Sequence, residues 1–149
     1  MVKRILMIIG IVFIMLIALT VIGVGGLMLM GSGLDKSSKQ YIDKNLPPIM
    51  TSWSKEELMS RASPEFKKNI DNTDFDEFLG KLKQLGPYIS YEGSTGHSNI
   101  DVDARGVVKT ASYTATALFQ YGKVEVKVKL IQENGDWQIL GFHINILPK

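Results

Sequence analysis

The chain has 149 residues, 17 basic and 15 acidic, two histidines and no cysteine. Residues 5–34 carry no charge, and Lys3 and Arg4 account for the whole formal excess of +2, which leaves the rest formally neutral. This balance argues against a nucleic-acid binder, which needs clustered basic surface, and against a polybasic lipid-binding tail. Without cysteine there is neither a disulfide nor a cysteine-linked lipoprotein anchor.

Ile5 to Met30 is an uncharged run of 26 residues. A helix of about 20 residues crosses the hydrocarbon core, so this run is long enough to span with some tilt. A cleaved signal peptide has an apolar region of about 7–15 residues and a small-x-small cleavage site. Here Leu27-Met28-Leu29-Met30 stands where the small residues belong. A buried core helix of this length is rarely apolar on every face. The run therefore reads as an uncleaved signal anchor. Lys3 and Arg4 place the N-terminus in the cytoplasm by the positive-inside rule and the C-terminal domain in the periplasm or outside the cell. Gly23, Gly25 and Gly26 have no pair four apart, so the dimerising GxxxG face is missing. The expected organisation is a cytoplasmic tail over 1–4, a transmembrane helix over 5–30, a linker over 31–37 and a globular domain over 38–149.

Helices come first in that domain. Leu34 to Leu46 carries Tyr41, Ile42 and Leu46 on one helical face, and Pro47-Pro48 is expected to end it. Ser54-Lys55-Glu56-Glu57 has the form of a capping box, with Trp53 just ahead of the cap and a short helix running to about Arg61. Ser63-Pro64-Glu65 is a second start signal, with proline at the first helical position. A further helix starts at Thr73 or Asp74. Its Phe75, Phe78, Leu79, Leu82 and Leu85 form one stripe, and Gly86-Pro87 stops it.

After Pro87 the period changes from 3.6 to 2. Tyr88–Tyr91 and Asn99–Val102 are short strand candidates, and the glycine-rich stretch Gly93–His97 between them reads as a loop. Val107–Tyr121 is a long strand, with Ala111, Tyr113, Ala115, Ala117 and Phe119 in one phase and Ser112, Thr114, Thr116 and Leu118 in the other. Gly122 turns the chain into Val124, Val126, Val128 and Leu130, which alternate with Glu125, Lys127 and Lys129. Asn134-Gly135 is a strong hairpin signal. Asp136–Ile146 holds Trp137 and Ile139 in one phase and Leu140, Phe142, Ile144 and Ile146 in the other, which predicts a bulge or sharp bend around Leu140-Gly141. The expected fold class is α+β: helices packed on a curved antiparallel sheet of four or five strands, the alanine-rich strand wrapping the 75–85 helix.

Three blocks carry a resemblance: Trp53 with Glu57-Leu58 and Ala62-Ser63-Pro64-Glu65-Phe66; Leu85-Gly86-Pro87; and Asn134 through Ile144. Together they resemble small bacterial proteins of the nuclear-transport-factor-two-like superfamily, the cystatin-like α+β cone, some of which are tethered by one N-terminal helix. The resemblance covers roughly residues 35 to 149. It implies the cone fold. That superfold hosts isomerases, dehydratases, transport adaptors and secretion scaffolds, so it implies no single activity.

Enzymes on this superfold work between the helices and the curved sheet, with an Asp or His base and Tyr or Asp donors. The weak catalytic candidates here are His143, Tyr113 and Asp101. His143 points opposite Phe142 and Ile144, so it faces either the pocket or solvent depending on the bulge; a lone strand histidine is usually structural or solvated. Asp101 and Asp103 precede Ala104-Arg105-Gly106 and read as turn chemistry, since a calcium loop needs more oxygen ligands. His97 has no second and third ligand near it in sequence. No metal and no cofactor is expected. The hydroxyl face of Thr110, Ser112, Thr114 and Thr116 is either a solvated face or a broad docking surface, and a free sheet edge is a second docking candidate. The reading that follows is a non-enzymatic, membrane-tethered binding or assembly module whose partner is another envelope protein. The alternative is a small-ligand pocket protein or an isomerase- or dehydratase-type enzyme on the same fold.

Overall fold

A computed structural model describes residues 33–147. The anchor expected over 5–30 lies outside these residues. Among the described residues no helix is long and apolar enough to cross a membrane. The folded domain runs from Asp35 onward.

Helix α1 covers 33–52, so part of the stretch expected as a linker is helical. Pro47-Pro48 does not end this helix. The prolines forfeit the amide bonds to the carbonyls of Asp43 and Lys44, the ordinary cost of proline inside a helix. The apolar stripe outweighs that cost because it continues in phase beyond them: Ile42, Leu46, Ile49, Met50 and Trp53 are all buried. Thr51 Oγ1 and Ser52 Oγ donate to the carbonyls of Pro47 and Pro48 at 2.7 and 3.0 Å as the helix ends.

The following helices are short. α2 is Lys55–Met59, with Ser54 as its cap accepting from the Glu57 amide. The capping box is only half formed: Glu57 does not reach back to Ser54, because its carboxylate pairs with Arg61 Nη1 at 2.6 Å. α3 is Pro64–Asn69, capped by Ser63. α4 is Asn72–Leu82, capped by Asp71, and a 3₁₀ turn over Lys83–Leu85 leads to Gly86 at φ 78°. Gly86 sits in the left-handed region, and a Cβ there would meet the Tyr121 ring.

The sheet is a four-stranded antiparallel meander in the order β1-β2-β3-β4. Its strands are β1 Tyr88–Asp103, β2 Gly106–Phe119, β3 Gly122–Glu133 and β4 Asp136–Leu147. The two short strands expected before residue 103 are one strand of 16 residues, and Gly93–His97 lies within it. Irregular register near Tyr88/Ser90 and Tyr91/Ser94 marks bulges, with Gly93 at φ 97°. Asn134 and Gly135, at φ 51° and 84°, make the two-residue turn between Glu133 and Asp136. The expected bulge on β4 is present: Lys129 pairs with Gly141 and Leu130 with Ile139, which leaves Leu140 as the extra residue.

The inner face of the sheet carries Ala111, Tyr113, Ala115, Ala117 and Phe119, then Val124, Val126, Val128 and Leu130, then Trp137, Ile139 and Ile144, all buried. The helix that lies along the alanine strand is α1, not the 75–85 helix. Ser38 Oγ meets Tyr113 Oη at 2.8 Å, Trp137 Nε1 donates to Ser37 Oγ at 3.0 Å, and Trp53 just past the helix stacks on Phe119 at 5.6 Å. Small side chains on β2 let this long helix approach closely. The 75–85 segment ends instead against the β2–β3 turn, where the amides of Gln120 and Tyr121 donate to the carbonyls of Pro87 and Leu85, each at 3.0 Å.

Candidate functional site

The three weak catalytic candidates do not converge. Tyr113 is sealed on the inner face, its hydroxyl held by Ser38 and by the Asp35 carbonyl at 3.1 Å. His143 is exposed on the outer face, opposite Lys127. Asp101 is exposed near the end of β1, opposite Val108, and accepts from Asn99 Nδ2 at 2.8 Å. No carboxylate reaches His143 among the described residues, and no group of three or more His, Asp or Glu there could hold a metal. Asp103 closes the β1–β2 turn: its carboxylate accepts from the Arg105 amide at 2.7 Å and pairs with the guanidinium at 2.8 Å.

The two edges of the sheet differ. The β4 edge is partly covered by the chain between α2 and α3. Ile139 donates to the Arg61 carbonyl and accepts from the Ser63 amide, both at 2.8 Å, and Ala62 makes a parallel bridge to it. On β1 the register from Ser94 to Asp103 is unbroken. Its two-residue turn makes Asp103 and Gly106 a mutually bonded pair, so Asp101, Asn99, His97 and Thr95 bond inward to β2. Ser94, Gly96, Ser98, Ile100 and Val102 therefore aim their N–H and C=O away from the sheet.

α1 covers the first part of that edge with two side chains one helical turn apart. Lys39 Nζ donates to the Ser94 carbonyl at 2.9 Å, and the Asp35 carboxylate accepts from both the amide and the hydroxyl of Ser98. The Ser98 hydrogen bonds hold the Asp35 carboxyl below its ordinary 3.8. Behind Lys39 lies a second cluster. Asp43 accepts from Tyr91 Oη at 2.7 Å, Ser94 Oγ at 2.6 Å and Lys39 Nζ at 2.9 Å. Burial pushes the Asp43 carboxyl up, but those hydrogen bonds outweigh it and the net shift is downward. Burial, and then the Asp43 carboxylate, push the Tyr91 phenol well above its ordinary value. Every member of this cluster is satisfied by the others, so it clamps α1 to the β1 bulge.

Beyond Ser98 the edge has no partner among the described residues. The β1–β2 hairpin also outruns the sheet, because β2 meets β3 only from Lys109 onward. Val102 and Val107 face each other across this tip and are 79% and 64% exposed.

The outer face carries a groove of about 540 Å³ across all four strands. Two cross-strand rows form its floor: Thr95–Thr114–Lys127–His143 and His97–Ser112–Lys129–Gly141. Reading Gly93–His97 as a loop hid this site, because His97 joins it only when β1 is continuous. The alternation that places Lys127 and Lys129 on one face was legible in the sequence.

Comparison with protein-family models, with characterised proteins and with solved structures finds no match.

Proposed function

We propose that the chain is a membrane-tethered, extracytoplasmic binding module that takes an extended segment of another envelope protein onto the distal edge of β1. The observation that carries this reading is the unequal treatment of the sheet edges. β4 is covered at Ile139, α1 caps β1 at Ser94 and Ser98, and the stretch through Ile100 and Val102 keeps its outward main-chain groups free among the described residues. Open edges of this kind are normally blunted because they template further pairing. An added strand gains affinity from main-chain hydrogen bonds and specificity from alternate side chains. Ile100, Val102 and Val107 supply apolar contacts for those side chains.

The tether is the uncharged run Ile5–Met30. The helix-then-meander order is the one the residue pattern predicts, and adaptors and scaffolds occur on the superfold that the sequence resembles.

Ile100→Pro tests the site. Proline removes an amide that points away from β2, so the ladder to β2 survives. With a photo-crosslinking residue at Val102 or Val107, the protein in its native membrane should give discrete adducts. The same residue at Lys67 on α3 should not, and Ile100→Pro should abolish the adducts while the thermal unfolding midpoint stays within a few degrees. Adducts that persist unchanged in a folded Ile100→Pro protein overturn the edge as the docking site.

A further inference from the structure

We infer that the outer-face groove binds a phosphate group, at a site separate from the β1 edge. Its lining brings Lys127, Lys129, His97 and His143 together on one face with the hydroxyls of Ser112 and Thr114, and it contains no carboxylate. The register fixes the juxtaposition: His143 lies directly opposite Lys127, and Ser112 separates His97 from Lys129 in the adjacent row. Directly opposed residues on one face have Cβ atoms about 4.5–5.5 Å apart, so the Lys127 ammonium and the His143 ring can reach the same anion.

Lys127 and Lys129 form no ion pair among the described residues, so no carboxylate of the domain occupies their ammonium groups. Glu125, the next residue on the same face of β3, lines the neighbouring hollow with Lys39 and Glu92 instead. Gly141 keeps the floor open, since a Cβ there would sit 3.5 Å from the Lys129 Cβ. The groove also contains no arginine. The guanidinium fork binds carboxylate and phosphate alike, whereas lysine binds phosphate as a point charge and leaves its remaining oxygens to other donors. Two lysine charges with imidazole and hydroxyl donors around one hollow match the charge and the several acceptor oxygens of a phosphate group. The phosphate belongs either to a soluble molecule or to a phospholipid headgroup.

The test uses the full-length chain in non-ionic detergent, titrated with inorganic pyrophosphate at constant ionic strength while the His97 and His143 ring protons are followed by NMR. A parallel arm measures co-sedimentation of protein reconstituted in phosphatidylcholine vesicles with free vesicles containing phosphatidic acid or phosphatidylcholine alone. Saturable shifts at both histidines, weakened at least about tenfold in Lys127→Gln/Lys129→Gln, support a soluble phosphate ligand, given what a charge-assisted hydrogen bond is worth. Sedimentation with phosphatidic acid vesicles only, lost in the same variant, supports a headgroup. Gly141→Leu fills the groove without changing charge, and its φ lies outside the left-handed region, so it should abolish binding in either arm. No saturable response in either arm overturns the site, as does binding that survives both variants with the fold intact by circular dichroism. Ile100→Pro should leave phosphate binding unchanged, so failure of the edge and failure of the groove are separable.

Discussion

Gly96 has no room for a side chain. A Cβ placed there would run into the Ser112 carbonyl oxygen and the Tyr113 Cα, both main-chain atoms of the paired strand. Main chain in the middle of a sheet cannot move aside as a flexible side chain can. Gly96→Val should therefore cost stability at or above the upper end of the usual 1–3 kcal/mol for overpacking. Gly93 differs in kind. Nothing lies within 4 Å of a Cβ there, but its φ of 97° makes any side chain conformationally costly, so Gly93→Ala should cost only about 1 kcal/mol. Urea unfolding of the two variants against the parent checks the order, and a Gly96→Val protein as stable as Gly93→Ala contradicts it. These same glycines account for the misreading of Gly93–His97 as a loop. Glycine and serine lower local strand propensity, and what restores the strand is pairing with β2 through Thr95 and His97, which no local window contains.

At the scale of elements, the joint between α1 and β1 has the most direct consequence for stability. Asp35 and Asp43 sit on one helix and accept hydrogen bonds from Ser98, Ser94 and Tyr91 on one strand. Both carboxyls are held below their ordinary 3.8 in the folded state. A carboxyl depressed by folding contributes stability that is fully present above its unfolded value, and loses it as pH falls through the folded one. Asp43→Asn should therefore lower the unfolding midpoint most at neutral pH. The gap to the parent should begin to close below about pH 4, the ordinary carboxylate value, and be nearly gone once the parent carboxyl is protonated. Thermal unfolding followed from pH 7 to pH 2 measures this, and a gap that stays constant across the range contradicts the clamp. Little of the joint was visible beforehand. The helix over 34–46, the caps at Ser54 and Ser63, the Asn134-Gly135 turn and the β4 bulge all follow from spacings of a few residues. The passage of α1 through Pro47-Pro48 does not: proline as a local breaker is overruled by Ile49, Met50 and Trp53, whose burial depends on strands far along the chain. For the candidate site the same division holds. Lys127 and Lys129 declared their shared face, but their meeting with His97 and His143 depends on the register of four strands.

For the whole molecule, the proposed function requires that residues 5–30 cross a membrane and that the domain lie outside the cytoplasm. Residues 5–30 carry no charge, Lys3 and Arg4 stand immediately before them, and Lys36 and Lys39 follow soon after, beside Asp35. Positive residues on both flanks compete for the cytoplasmic side, and acidic residues contribute little to orientation. Lys39 is drawn into the fold, bonded to Asp43 and Ser94, so it is a poor retention signal once the domain forms. The N-terminal pair has no such competing role and stands nearest the apolar run. The domain should therefore lie outside the cytoplasm, a location that also suits a chain without cysteine. Alkaline phosphatase fused after Lys149 should be active, and a reporter that functions only in the cytoplasm should be dark at the same position. The intact chain should stay with membranes through a carbonate wash and keep Met1 or Val2 as its first residue. If Lys3 and Arg4 set the orientation, replacing both with glutamine should lower phosphatase activity, and adding lysines between Gly31 and Leu34 to that variant should lower it further. An inactive phosphatase fusion beside a bright cytoplasmic reporter would place the open β1 edge in the cytoplasm and remove the envelope partner from the proposal.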